Sequence, residues 1–132
     1  MIVQYCDNQD KSDRQHNAFF TEGTRLAHLL DNARTRTPFI AELRADNGFE
    51  LVIGIGGDLG CVEHRRINGD LPYLMAMSSH PPLTTGEVEF LTANTPTPIA
   101  ARYILSFLEL KEIALDFLAT GERSKSVSWE EI

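Results

Sequence analysis

The sequence is poor in the features that mark exported, membrane-spanning or disulfide-bonded proteins. It has only two cysteines among 132 residues, and no run approaches the roughly 20 apolar residues that a membrane-spanning helix needs. The first 15 residues lack the basic and apolar segments of a secretory signal. We therefore expect a cytoplasmic protein without membrane contact, in which Cys6 and Cys61 remain buried thiols.

Positively charged residues are also scarce. The chain carries 12 Lys and Arg against 19 Asp and Glu, a formal net charge of −7, and the acidic excess is larger in residues 67–132 than in residues 1–66. Direct binding to nucleic acid is disfavoured, because it requires Lys and Arg to neutralise phosphates. Acidity suits a basic protein partner, or it serves only solubility, and the charge alone leaves both explanations open.

The motifs of common enzymes and metal sites are missing as well. The run Gly54–Gly60 lacks the third glycine of a dinucleotide-binding loop and the lysine of a phosphate-binding loop. Cys61 and His64 are three residues apart in a predicted strand, so they would point to opposite faces and could not form a nucleophile–base pair. No zinc-binding spacing occurs among His16, His28, His64 and His80. We expect a non-enzymatic protein with no cofactor and no metal.

The first 35 residues predict a strand, a loop and a helix. Residues 1–6 have the β-branched and aromatic content of a strand, and the polar residues 7–17 predict a loop. Thr21 and Thr24 offer hydroxyl caps, and the leucines that follow recur at helical spacing. We place the first helix over residues 22–35.

Residues 38–91 have the pattern of short antiparallel strands joined by tight turns. Apolar and polar residues alternate, and two Asn-Gly pairs accept the positive φ values of hairpin turns. The predicted strands cover residues 38–45, 49–55, 61–67, 71–77 and 87–93. With the N-terminal strand they predict a twisted antiparallel meander of five to six strands.

The last third predicts a long helix and a short strand. Pro96 and Pro98 are expected to end the sheet, with Pro98 in the first turn of an amphipathic helix that stops at Gly121. Its apolar stripe comprises Tyr103, Phe107, Leu110, Ala114, Phe117 and Leu118. Alternation around Trp129 predicts a C-terminal edge strand. The predicted architecture is α+β, a single domain over residues 1–132 with two helices packed on one face of the sheet.

Three stretches of the chain resemble a known family when they are taken together. They are Leu51–Asp58 (LVIGIGGD), Glu112–Arg123 (EIALDFLATGER) and Val127–Trp129 (VSW). In this order and spacing they resemble the first-numbered immunity-protein family of bacterial polymorphic toxin systems. The likeness covers residues 38–131.

The resemblance implies an α+β protein in the bacterial cytoplasm that protects the producing cell against its own or a sibling's toxin. Its partner would be a cognate secreted toxin. Toxins of such systems are often nucleic-acid deaminases, which need a basic groove for the nucleic acid and a zinc pocket for the flipped base. An acidic inhibitor that covers this groove would compete with the substrate.

The predicted partner-binding residues are the acidic and aromatic side chains of the motifs and of the acidic helix face. Trp129 has two interpretations, a core plug that fastens the tail or an aromatic anchor in an interface, and Tyr73 shares this ambiguity. The full set is Asp58, Glu63, Tyr73, Glu109, Glu112, Asp116, Trp129, Glu130 and Glu131.

Two other functions stay open at the level of sequence. A small-ligand-binding or regulatory domain would need an apolar cavity between sheet and helices, lined by Phe49, Tyr73, Met75 and Phe107. An unrecognised hydrolase is disfavoured, because the sequence offers no nucleophile–base pair.

Overall fold

Ten strands and two α-helices make up residues 1–7, 17–84 and 86–132, the parts of the chain that the computed structural model describes. The strands are β1 (Val3–Cys6), β2 (Asn17–Phe20), β3 (Phe39–Ala45), β4 (Phe49–Gly56), β5 (Leu59–Arg66), β6 (Leu74–Met77), β7 (Glu87–Thr92), β8 (Thr95–Ala100), β9 (Leu105–Ser106) and β10 (Ser128–Glu131). The helices are α1 (Gly23–Ala33) and α2 (Phe107–Thr120), and a 3-10 turn covers Ala101–Tyr103.

The main path of the sheet runs in the order β10-β6-β5-β4-β3-β1-β2, with antiparallel neighbours throughout. The predicted tight turns are confirmed, since Gly48 and Gly69 take φ values of 88° and 85° after their asparagines. The predicted C-terminal edge strand is also confirmed, with Trp129 opposite Ala76 of β6. The sheet is larger than the predicted five to six strands.

Both helices pack on one face of the sheet, as predicted for an α+β fold. Alternate residues of β3 and β4 point toward the helices, and the buried face of α2 covers them. This main core includes Phe39, Ala41, Leu43, Leu51, Ile53, Ile55, Leu110, Ile113 and Phe117. No helix in the described residues is long and apolar enough to cross a membrane.

The hairpin of β7 and β8 covers part of the opposite face instead of continuing the meander. Leu91 of β7 pairs in parallel with Phe39 of β3, and Phe90 enters a second buried cluster with Cys61. A Cβ atom on Gly54 would lie 2.9 Å from the Phe90 ring, so glycine there permits the close approach. The expected meander is therefore wrong for β7, which pairs with β3 and β8.

The long C-terminal helix is shorter than predicted. Pro96 and Pro98 lie inside β8, an edge strand whose outward amide positions tolerate proline. The helix begins after Ser106, where a capping box satisfies its free amides: Ser106 Oγ accepts from the Glu109 amide at 3.1 Å, and the Glu109 carboxylate accepts from the Ser106 amide at 3.2 Å. It ends at Gly121 in the left-handed conformation, φ 73°, as predicted.

The N-terminal expectations are partly correct. The first helix is confirmed as α1, but its N-cap is Glu22 without a side-chain hydrogen bond, so the predicted hydroxyl cap is wrong. Residue Asn17, placed in a loop by its polarity, begins β2, which pairs with β1. The rest of that predicted loop, residues 8–16, lies outside the described residues.

Candidate functional site

Three carboxylates line one side of α2, and we call Glu109, Glu112 and Asp116 the acidic stripe. Within the described residues, none of the three forms an ion pair with Lys or Arg. The nearby Lys111 instead pairs with Asp31 of α1 at 3.0 Å. The stripe therefore keeps its negative charge.

Hydroxyl groups hold two carboxylates of the stripe in place. Ser78, which follows β6, donates its Oγ–H to the Glu109 carboxylate at 2.7 Å. Ser124, which follows α2, donates its Oγ–H to Asp116 at 2.6 Å. Glu112 lies between them, exposed. The stripe is thus a fixed array, with both ends tied to neighbouring segments.

Trp129 packs inward from β10. Its ring lies edge-on to His64 at 6.1 Å between centroids, and it packs against the main core while half-buried. Its Nε1–H donates to the Ser124 carbonyl at 2.9 Å. These contacts fit the core-plug interpretation, and a contact between Trp129 and a partner stays a prediction.

Two other predicted partner-binding residues, Asp58 and Tyr73, already have partners within the chain. Asp58, in the β4–β5 turn, pairs with Arg34 at 2.6 Å while 94% of its side chain remains exposed. The Tyr73 hydroxyl donates to the Gly69 carbonyl. Neither residue joins the acidic stripe in a hydrogen bond or ion pair.

The remaining predicted acids lie on β5 and β10. Glu63 and Glu130 both face away from the helices, because each is opposite Met75 of β6. Glu130 pairs with Arg102, whereas Glu131 is exposed. The predicted set is therefore divided between the two faces of the sheet.

Sequence reasoning missed a buried charge network on this second face. Glu50 of β4 is only 2% exposed and accepts from Arg44 at 3.2 Å and from Arg65 at 2.7 Å. The pKa of Glu63 is raised, chiefly by burial, although Arg65 acts in the opposite direction. The pairing register of β3, β4 and β5 could have revealed this network, because it places Glu50 opposite Arg44 on one side and opposite Arg65 on the other.

A groove with positive charge opens beside the acidic stripe, and we call it the basic groove. It has a volume of about 730 Å³ and lies between β4, β5, β10 and the segment that follows α2. Its lining residues are Phe49, His64, Arg66, Pro72, Leu74, Gly121, Glu122, Arg123, Ser124, Lys125, Val127 and Trp129. Sequence reasoning missed it, because its cations come from two distant stretches of the chain.

The basic groove collects most of the unpaired cations of the described residues. Of the ten Lys and Arg side chains in those residues, six form ion pairs and four do not. Three of the four, Arg66, Arg123 and Lys125, line the groove. Three of the four unpaired cations in the described part of a strongly acidic protein thus meet at this groove.

His64 forms part of the floor of the basic groove. Its ring is stacked on Phe49 at 5.0 Å, and the residue is 8% exposed. Burial, together with the charges of Arg123 and Arg66, lowers the His64 pKa to about 4. The imidazole is therefore neutral at pH 7.

The cavity expected for a small-ligand domain is not formed by the four residues predicted to line it. Phe107 belongs to the main core, whereas Met75 lies in the cluster on the other face of the sheet. Of the four, only Phe49 lines the basic groove. The alternation of β6 and the inward face of α2 place Met75 and Phe107 on opposite sides.

The described residues also contain no group of three or more His, Cys, Asp or Glu side chains that could hold a metal ion. Cys61 and His64 lie on opposite faces of β5, as their spacing predicts. Both cysteines are free thiols, Cys61 buried and Cys6 half-buried.

Comparison with known proteins identifies the family of the chain. A family model described as Immunity protein Imm1 matches residues 8–131. No curated protein matches the chain.

Proposed function

The chain belongs to the Imm1 family of immunity proteins, and we propose that it neutralises a cognate secreted toxin by binding it and covering its active-site surface. We propose further that the toxin is a nucleic-acid deaminase of a bacterial polymorphic toxin system. The protein would act in the cytoplasm as a single domain over residues 1–132, through contact alone and without catalysis.

The acidic stripe is the observation that carries this proposal. Glu109, Glu112 and Asp116 have no cationic partner among the described residues, and serines hold the outer two. An enzyme that acts on nucleic acid presents Lys and Arg to the phosphates. A fixed row of carboxylates is complementary to such a surface, so it would accelerate association and compete with the substrate.

The deaminase assignment rests on the family resemblance and on charge. A deaminase must hold its nucleic acid in a positive groove while a flipped base enters the zinc pocket. An acidic protein that covers this groove would exclude the whole substrate without entering the pocket. A stable interface of this kind buries about 1,600 Å² in total.

Co-purification with the neighbouring toxin tests the proposal. The toxin domain encoded beside this gene would be expressed with the full chain, and its activity assayed on single-stranded DNA and RNA with and without the purified immunity protein. We expect a stable complex at about 0.15 M salt and loss of base deamination. Absence of a complex contradicts the binding mechanism, and a complex with a toxin that does not deaminate bases contradicts only the deaminase assignment.

A further inference from the structure

We propose that the basic groove is a second binding site for the toxin, and that its occupant is an acidic peptide segment with one or two carboxylates beside an apolar side chain. This inference rests on the proposed function, because the toxin proposed there supplies the peptide segment. It assigns a separate site, of opposite charge to the acidic stripe, on the same side of the molecule.

Charge complementarity is the first argument. Arg66, Arg123 and Lys125 line the groove without ion pairs in the described residues, and Glu122 is the acidic residue among its lining. With His64 neutral, the groove has a net charge of +2. Two carboxylates of a peptide would match this charge, and Arg pairs with carboxylates through two parallel hydrogen bonds.

The floor of the groove supplies the second argument. Phe49 and Trp129 offer aromatic surface, and the Arg66 guanidinium lies 4.8 Å from the Phe49 ring centroid. Such a surface holds an apolar side chain while the cations at the rim hold the acids. The volume of about 730 Å³ is in the range of sites that enclose a ligand.

The imidazole of His64 supplies the third argument. It lines the groove, and its ring nitrogens make no hydrogen bond with any described residue. They remain within reach of a ligand, because Thr84 Oγ1 is the one buried side-chain N or O atom without a partner in those residues. A neutral imidazole offers one donor and one acceptor, which a peptide carboxylate and a backbone amide would satisfy.

Continuity with the acidic stripe favours a protein segment as the occupant. Ser124 lines the groove and donates to Asp116 of the stripe at 2.6 Å, so the two surfaces meet at this hydrogen bond. A nucleic acid that entered the groove would bring further phosphates toward the stripe, and repulsion would oppose it. A toxin with a basic surface and an adjacent acidic segment fits both regions at once.

The two signs of charge would fix the orientation of the toxin. A surface of one sign accepts a basic partner in several orientations, whereas adjacent patches of opposite sign penalise all but one. The groove would therefore contribute mainly to specificity between related toxins. Its variants should lose discrimination as well as affinity.

Paired charge variants of the full chain test the groove in the complex. We expect R66Q/R123Q to bind the cognate toxin at least tenfold more weakly than the wild type by calorimetry, with an unchanged melting temperature. R25Q is the control, because Arg25 is the cation among the described residues that has no ion pair and lies outside the groove. Full affinity of R66Q/R123Q, or an equal loss in R25Q, overturns the assignment.

A peptide titration tests the groove without the toxin. Acetyl-Glu-Leu-Glu-amide, added to the isotopically labelled chain up to about 10 mM, a concentration that reveals even weak complexes, should shift the resonances of His64, Arg123 and Trp129. The neutral acetyl-Gln-Leu-Gln-amide should not. No shift, equal shifts with both peptides, or tighter binding of ten-nucleotide oligothymidine overturns the acidic-peptide assignment.

The two tests separate this inference from the proposed function. If the wild type forms no complex with the toxin, the proposed function fails, and the peptide titration still decides the chemistry of the groove. If the wild type binds and the groove variants bind equally well, the proposed function stands and the second site is wrong.

Discussion

The hydroxyl of Ser124 donates to the carboxylate of Asp116 over 2.6 Å, and so connects helix α2 to the segment that returns toward β10. The Ser124 carbonyl accepts from Trp129 Nε1, so one residue binds both the helix and the terminal strand. Ser124 is 3% exposed. This buried serine therefore holds the boundary between the acidic stripe and the basic groove.

The first prediction concerns this serine. S124A should lower the free energy of unfolding by about 1 to 2 kcal/mol, because it leaves the half-buried Asp116 carboxylate without its donor. Urea unfolding followed by circular dichroism measures the change. D116N keeps an acceptor for Ser124 and should cost less, so equal losses in the two variants would contradict the argument.

The second prediction concerns the charge of the acidic stripe. Replacing its three members by amides (E109Q, E112Q, D116N) should slow association with the toxin about tenfold at low salt and weaken its salt dependence, because the variant loses long-range attraction. The amides keep acceptors for the serines and for the capping box, so the helix stays intact. Stopped-flow association rates measure the effect.

The control for the stripe lies on the β7–β8 hairpin. Glu87 and Glu89 are exposed and pair with no cation in the described residues. E87Q/E89Q removes two negative charges at a different place, compared with three in the stripe variant. If this variant slows association as much as the stripe variant, total charge and not the stripe attracts the toxin.

The third prediction is a pH dependence that arises from His64. Burial and the neighbouring Arg123 and Arg66 lower its pKa from 6.5 to about 4 in the folded chain. Between these pH values the unfolded state binds a proton that the folded state does not, so stability falls as the pH decreases from about 6.5 to 4. The loss should be on the order of 2 kcal/mol.

H64F isolates this contribution. Phenylalanine keeps the aromatic stack on Phe49 but cannot be protonated, so the decrease in unfolding free energy between pH 7 and pH 4.5 should be smaller in the variant. Chemical denaturation at both pH values measures it, and carboxylates contribute equally to the two proteins. If H64F had the same pH dependence as the wild type, groups other than His64 would be responsible for it.

The fourth prediction concerns the buried Glu50. E50Q should destabilise the fold by about 2 to 4 kcal/mol, because Arg44 and Arg65 lose the carboxylate between them. E42Q removes a carboxylate that is more exposed and pairs only with Arg44 among the described residues, so it should cost less than about 1 kcal/mol. Thermal unfolding ranks the two, and the reverse order would refute the network.

The sequence predicted those elements whose signals are local. In β3, residues Phe39 to Ala45 alternate between core and opposite face, and each helix-facing residue is buried. The Asn-Gly turns needed positive φ, which few residue types provide. The family motifs and the terminal strand around Trp129 were also predictable, because each depends on residues that are close together in the sequence.

The start of α2 was not predictable from local signals. Pro98 fits the first turn of a helix, but in the structure it lies in β8, which pairs with β7. Ile99 of β8 also packs on the second buried cluster, the one that contains Phe90. These contacts depend on Val88 and Phe90 of β7, which lie about ten residues before Ile99 in the chain. Tertiary packing therefore overrode the local preference of the proline.

The basic groove was hidden for a related reason. Arg66 lies at the end of β5, whereas Arg123 and Lys125 follow α2, and the return of the chain after Gly121 brings them together. In the sequence, the acidic Glu122 lies next to Arg123 and close to Lys125, so this segment does not stand out as basic. Charge sums over long segments cannot reveal such a local reversal of sign.

The position of Trp129 also gives the protein an optical reporter. It is the single tryptophan of the chain and it borders the groove, so fluorescence excited at the indole band reports on one place. A tryptophan-free partner could be titrated without a dye, and quenching or a blue shift would distinguish engagement at this end of the molecule from attachment elsewhere.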